Sequence, residues 1–225
     1  MGRSLNRKRE ITKSLVLHSA SKLFIERGYA NTRIKDIALE ADVSYNDVFR
    51  QFGDKDSILS ELIGLVLQCQ FEKAESIIKG KTDNSLYLYA FETVLQLYIA
   101  ESLEHIREMY IVSYSLPHSI HEVHKTITKK LEEVFKEHLP HLETKDFYEL
   151  EIASAGIMRG YISVPCDMYF TMDRKVRRFL ESNFKIYDIK QEVIEEIIEF
   201  LKQFDFKEIA RDVLKSLFEY LENRT

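Results

Sequence analysis

ADVSYNDVFRQFGDK, residues 41–55, decides how this chain is read. Ser44 stands where a helix N-cap belongs, and Asp47, three residues on, completes a capping box. Val48 and Phe52 lie four apart on one face, so a short helix runs from about 45 to 51. Its other face holds Ser44, Tyr45, Asn46, Asp47, Phe49 and Arg50. Gly53 ends that helix, and Asp54 can cap another.

Upstream, Val16, Ala20, Leu23, Phe24 and Arg27 recur at helical spacing from Arg9 to Arg27, and Gly28 sits at the C-cap position. Thr32 can cap a two-turn helix whose inward residues are Ile34, Ile37, Ala38 and Ala41. Downstream, Ile58, Leu62, Leu65 and Val66 mark a long helix after Asp54. The second and third of these four helices are joined by a three-residue turn, which is a helix-turn-helix module.

A duplex major groove admits one α-helix that offers polar or small residues near its N-terminus. Asn46 can hydrogen-bond an adenine edge twice, Tyr45 can pack on a thymine methyl or reach a phosphate, and Arg50 can take a guanine or a phosphate. Thr32 and Arg33 open the preceding helix and Lys55 the following one, where free N–H groups and the helix dipole favour phosphate. Solvated caps on a small helical bundle are the other reading of the same pattern.

The stretch 23–59 resembles, without a gap, the DNA-binding domain of the TetR family of transcriptional regulators. Leu23, Phe24, Gly28, Tyr29, Thr32, Ile34, Asp36, Ile37, Ala38, Ala41, Val43, Ser44, Phe52, Lys55 and Leu59 carry the likeness. Three departures bear on the target sequence. Asp42 replaces the usual turn glycine, Asn46 and Asp47 replace the common Gly-Thr pair, and Phe49 replaces a tyrosine that binds phosphate in the family. The resemblance implies a double-stranded DNA operator, a homodimer and a small-molecule effector held by a variable helical domain.

On this reading residues 1–68 form the DNA-binding domain and 69–225 an effector-binding and dimerisation domain. The expected fold is all-α, because seven glycines and three prolines spread over 225 residues favour long helices and no strand pattern occurs. One helix is predicted over 84–115, with Tyr87, Phe91, Tyr98, Ser102, His105, Tyr110 and Tyr114 as candidate pocket residues. Core filling is the alternative for each aromatic. Pro117 opens a helix to about His138, another covers 146–164, and 165–187 is only loosely helical in pattern. Two apolar stripes follow, one from Val193 to Phe204 and one from Ile209 to Leu221.

By resemblance, the helices at 146–164 and 189–204 pair across the dimer, with Gly156, Gly160, Ile194, Ile197 and Leu201 as candidate contacts. His118, His121 and His124 fall at steps of three, so a metal site is conceivable, but solvated histidines explain the pattern and no metal or cofactor is assigned. Cys69 and Cys166 match neither a disulfide framework nor a zinc spacing. The net charge of -5 divides into +3 for residues 1–60 and -8 for the rest, which suits an anionic partner at the N-terminal end.

No apolar run reaches the roughly 18 residues of a membrane span, and no signal peptide is evident, so a cytoplasmic protein is expected. No nucleophile, base and orienter are legibly spaced, which argues against an enzyme. The expected function is that of a homodimeric regulator, a repressor, that binds a palindrome and is released when an effector moves the helix after Asp54. An architectural DNA-binding protein without an effector is the rival, and ligand screens separate the two.

Overall fold

The computed structural model describes residues 2–223, and not the side chains of residues 2–8, 118 and 122. Eleven helices and no strand occur among the described residues. The N-terminal four are α1 (Gly2–Arg27), α2 (Ile34–Glu40), α3 (Tyr45–Phe52) and α4 (Lys55–Ile78). Val16, Ala20, Leu23, Phe24, Ile37, Ala38, Val48 and Ile58 meet in one core. Each large apolar side chain buried there contributes about 1.5–3 kcal/mol, which compensates for helices too short to persist alone.

Thr32 does not cap α2. It is 1 % exposed, and its hydroxyl donates to the carbonyls of Gly28 (2.8 Å) and Leu23 (3.3 Å), fastening the α1–α2 turn from within. Arg33 takes the cap position, and its N–H donates to Asp36 Oδ2 at 2.9 Å. Asp42 adopts φ 50°, as the replacement of a turn glycine requires.

The rest of the chain comprises α5 (Ser85–Ser102), α6 (Glu104–Ser113), α7 (Pro117–Phe135), α8 (Thr144–Ser163), α9 (Met172–Lys185), α10 (Gln191–Leu201) and α11 (Phe206–Glu222). α5 is the axis: it touches α4, α6, α7, α8, α9, α10 and α11 and is buried on nearly every side. α4 runs unbroken through residue 68 and packs on α5, α7 and α11, so both portions of the chain share it.

Two expectations are corrected. The helix predicted over 84–115 breaks at Leu103, which is extended (φ −147°, ψ 142°). Ser102 turns its hydroxyl back to the Ile99 carbonyl at 2.6 Å, while Lys175, Arg107 and the Cys166 N–H all engage Glu101. A one-residue break leaves the apolar spacing almost in phase, so periodicity could not detect it. Conversely, 172–185 is a regular helix. Its inward face includes Lys175, fully buried, whose ammonium donates to Glu101 Oε2 (2.8 Å) and the Val164 carbonyl (2.6 Å). A charged residue among Phe179, Leu180 and Phe184 spoils the apolar pattern while its partners satisfy it in place.

Candidate nucleic-acid interface and ligand cavity

α3 presents Ser44, Tyr45, Asn46, Phe49 and Arg50 to solvent, as the sequence pattern requires, and buries Val48 and Phe52. The Ser44 hydroxyl accepts from the Asp47 N–H at 3.1 Å and donates to Asp47 Oδ2 at 2.6 Å. Asp47 also pairs with Arg50, one turn on, so its carboxylate is neutralised before any phosphate approaches. Tyr45 and Phe49 stack with ring centroids 6.2 Å apart, an exposed apolar pair beside Asn46. Arg33 is exposed at the start of α2.

Lys55 is not a free phosphate ligand. Its ammonium donates to the carbonyls of Tyr29 (2.7 Å) and Thr32 (2.9 Å) and sits 4.0 Å from the Tyr29 ring centroid. Burial lowers its pKa, and Glu108 opposes that shift. Lys55 therefore clamps the α1–α2 turn to the start of α4, and Thr32, buried, offers no hydroxyl to solvent.

The same turn is gripped from the other side by α6. Glu108 accepts from the N–H groups of Tyr29 and Ala30, both at 3.0 Å, and His105 Nδ1 lies 2.7 Å from the Ile25 carbonyl. Gly28 has φ +83°, and a Cβ there would stand 2.6 Å from Glu108 Oε2, so only glycine admits the carboxylate. His105, expected in a ligand pocket, thus belongs to the seam with the helix-turn-helix module.

A cavity of about 40 Å³ lies between α4, α5, α7 and α8. Its polar lining comprises Gln70, Tyr89, Glu92, Thr93, Gln96, Tyr114, Lys130, Glu151 and Ser154. Burial pushes the Glu92 carboxyl up to about 8, with Lys130 pulling it down and Glu75 adding to the rise. Burial likewise raises Glu151 to about 7 against the influence of His124. The Gln96 amide donates to the Tyr114 hydroxyl at 3.0 Å, which ties the cavity wall to the end of α6.

Of the seven pocket residues expected from the sequence, only Tyr114 lines this cavity. Tyr87 packs edge-on to Phe200, Phe91 is fully buried against Phe204 and Phe206, and Tyr98 stacks on Phe206. Tyr110 is 1 % exposed in the core beside α1 and α4. Tyr98 and Ser102 instead border an open groove of about 530 Å³ beside Leu103, Lys207 and Arg211. The polar series Tyr89, Glu92, Gln96 repeats at helical spacing on the opposite face of α5, and that was the signal available.

The candidate dimer residues divide. Gly156 and Gly160 are exposed on α8 with open space around them, next to Ile152 (50 % exposed). Ile194, Ile197 and Leu201 are corrected: at 0, 0 and 4 % exposure they lie in the chain's own core, and α10 packs on α9 and α5. Within the helical trio, the His118 side chain lies outside the described residues, His121 is exposed, and His124 Nδ1 is 3.4 Å from Glu151 Oε1. Among the described residues no group of three or more His, Cys, Asp or Glu is placed to hold a metal, and no helix is long and apolar enough to cross a membrane.

Comparison with known proteins agrees with this geometry. The family model described as bacterial regulatory proteins, tetR family, matches residues 16–62. The HTH-type transcriptional repressor Rv3405c of Mycobacterium tuberculosis (strain ATCC 25618 / H37Rv) is 46% identical over 59 residues, 26% of this chain and 29% of the relative. The HTH-type transcriptional regulator HbdR of Aromatoleum sp. (strain CIB) is 40% identical over 67 residues, 30% of this chain and 29% of the relative. These matches therefore span under a third of either relative's length. The crystal structure of RolR in complex with resorcinol superposes with a TM-score of 0.69 at 16% identity, covering 86% of this chain and 95% of that one.

Proposed function

We propose that the chain, whose residues 16–62 match the tetR family model, is a TetR-like transcriptional regulator that binds a palindromic operator as a homodimer and is released by a small-molecule effector. The exposed face of α3 carries the DNA reading. Asn46 reads an adenine edge, the Tyr45–Phe49 pair packs on thymine methyls, and Arg33 and the positive ends of α2 and α3 grip phosphates. One such helix reads few base pairs, so a two-fold pair with half-sites about one helical turn apart is needed for selectivity. The exposed α8 face at Ile152, Gly156 and Gly160 suits that pairing, because glycines let two helices approach closely.

The observation that carries the regulatory reading is the physical link between the cavity and the DNA-binding module. Tyr114 lines the cavity at one end of α6, and Glu108 and His105 hold the α1–α2 turn from the same helix. Gln70 and Phe71 line the cavity on α4, whose first residue, Lys55, clamps that turn. A ligand that enlarges the cavity displaces both helices, which shifts the population between two separations of the recognition helices. The resorcinol held by RolR, which shares this fold, supports a small organic effector.

The test is fluorescence anisotropy of the purified chain on DNA from its own upstream region and on random duplex, across a salt series. Selective binding with a steep salt slope supports the reading, whereas equal weak binding to both duplexes contradicts it.

A further inference from the structure

Buried side-chain oxygens line the central cavity. Gln70 and Glu92, 1 % and 2 % exposed, line it from α4 and α5. The Gln70 amide nitrogen donates to the Glu92 carbonyl at 3.0 Å, but among the described residues Gln70 Oε1 and Glu92 Oε1 have no hydrogen-bond partner. Lys130 stands 3.8 Å from Glu92 Oε1, beyond a hydrogen bond, and gives its donor to Glu75 at 3.0 Å. On the α8 side Glu151, also 2 % exposed, meets His124 at 3.4 Å. The Tyr89 hydroxyl already accepts from Asn183 at 2.8 Å and lies 3.1 Å from Ser154 Oγ. Each buried acceptor left unpaired costs about 1–3 kcal/mol, so these groups await donors from outside the chain.

We propose that the effector is a compact organic cation, an amine or amidine on a short aromatic or aliphatic body, whose N–H groups bridge Glu92 and Gln70 on one side to Glu151 on the other. This rests on the regulatory reading above and specifies its ligand. Phe71, Ile127, Leu131 and Met158 supply the apolar walls for the body. Two carboxylates against one ammonium leave the ionised cavity net negative, which selects a cation over an anion of the same size. The cavity is only about 40 Å³, so entry of even one six-membered ring must part the helices that line it.

Ionisation sets the pH response. With Glu92 near 8 and Glu151 near 7, both carboxyls hold protons through much of the neutral range. The titratable neighbours that face them are Lys130, Glu75, His124, Tyr89, Tyr114 and Tyr187. A cation that displaces one carboxyl proton binds about tenfold more tightly for each unit by which the pH rises toward that carboxyl's pKa, and its affinity levels off above it.

Calorimetry and melting temperature on the free, DNA-less chain test this with three probes of similar size: benzamidine as cation, resorcinol as neutral donor and benzoate as anion. Benzamidine should bind and raise the melting temperature, with affinity rising at least about tenfold from about pH 6 to about pH 8. Glu92→Gln and Glu151→Gln, each checked for folding by circular dichroism, should each weaken benzamidine at least about tenfold and flatten its pH slope. Resorcinol binding as tightly as benzamidine, a flat pH profile, full affinity in Glu92→Gln, or no benzamidine binding each overturns the proposal. Because no DNA is present, failure here leaves the regulatory reading intact, and failure of operator binding leaves this result readable.

Discussion

Replacing Glu108 by alanine tests the link between α6 and the DNA-binding module most directly. The carboxylate accepts from the Tyr29 and Ala30 N–H groups, both at 3.0 Å, and it also supports the nearby Lys55 charge. Hydrogen bonds to a charged acceptor contribute about 1.5–3 kcal/mol each when well buried. Tyr29 is half-buried and Ala30 exposed, so water recovers much of the loss. About 1–3 kcal/mol remains for the pair, which is about 5–150-fold in a local opening equilibrium. Amide hydrogen exchange reads that number residue by residue: exchange at Tyr29 and Ala30 should accelerate by this factor, with α2 and α3 following, while amides in the middle of α8 stay unchanged. Gly28→Ala forces a Cβ to within 2.6 Å of the same carboxylate, at a position of positive φ, and breaks the same contact. The two substitutions together should cost less than their sum by about 1 kcal/mol. Unchanged exchange at residues 29 and 30, or strict additivity, refutes the idea that Glu108 joins the two parts of the chain.

Asn46→Ala should cost about 1–3 kcal/mol of selectivity between operator and mutated operator, with little change on random duplex, as read by competition anisotropy. Phe49→Tyr restores a hydroxyl within reach of the backbone and should tighten all DNA binding by about 0.5–1.5 kcal/mol in the same assay. Ile152→Arg places a charge on the exposed α8 face and should convert a dimer to a monomer by light scattering while leaving the fold intact, since Ile152 is 50 % exposed in the single chain. For Glu92, a folded-state pKa near 8 lies above the ordinary carboxyl value of 4.5. Its contribution to stability is therefore complete below about pH 4.5 and is lost as the pH rises through 8. Glu92→Gln should melt close to the parent at about pH 5 and be more stable by about 1–3 kcal/mol at about pH 9; a parent equal to the variant at both values contradicts the buried carboxyl.

Most of the helix-turn-helix module is legible in the sequence because its helix signals are local. Ser44, Gly53 and Asp54 act within four residues, and Val48 and Phe52 face a core supplied by adjacent helices. Thr32 and Lys55 were misread because a cap and a surface lysine look the same as a hydroxyl and an ammonium turned inward. Only the carbonyls of Gly28, Tyr29 and Thr32, brought near by the fold, separate those cases. The cavity was hidden for a different reason. Aromatic residues on α5 draw attention to one face, but α10 and α11 cover that face. The polar residues that line the cavity come from four separate helices, and nothing in a single helix reveals which side will be left unfilled. The buried isoleucines of α10 failed similarly, since a broad apolar stripe does not say whether the chain itself or a second copy covers it.

The break at Leu103 has a bearing on how such a chain can change over time. Were α5 and α6 one rod, any residue added or lost near the cavity would turn everything beyond it by about 100°. Glu108 would then swing away from the turn it holds. The extended residue interrupts the helical hydrogen-bond ladder, so α6 meets α1 as a helix of its own. The same reasoning places the intolerance inside α6, where a single inserted residue between Glu108 and Tyr114 would leave both ends intact and pointing the wrong way.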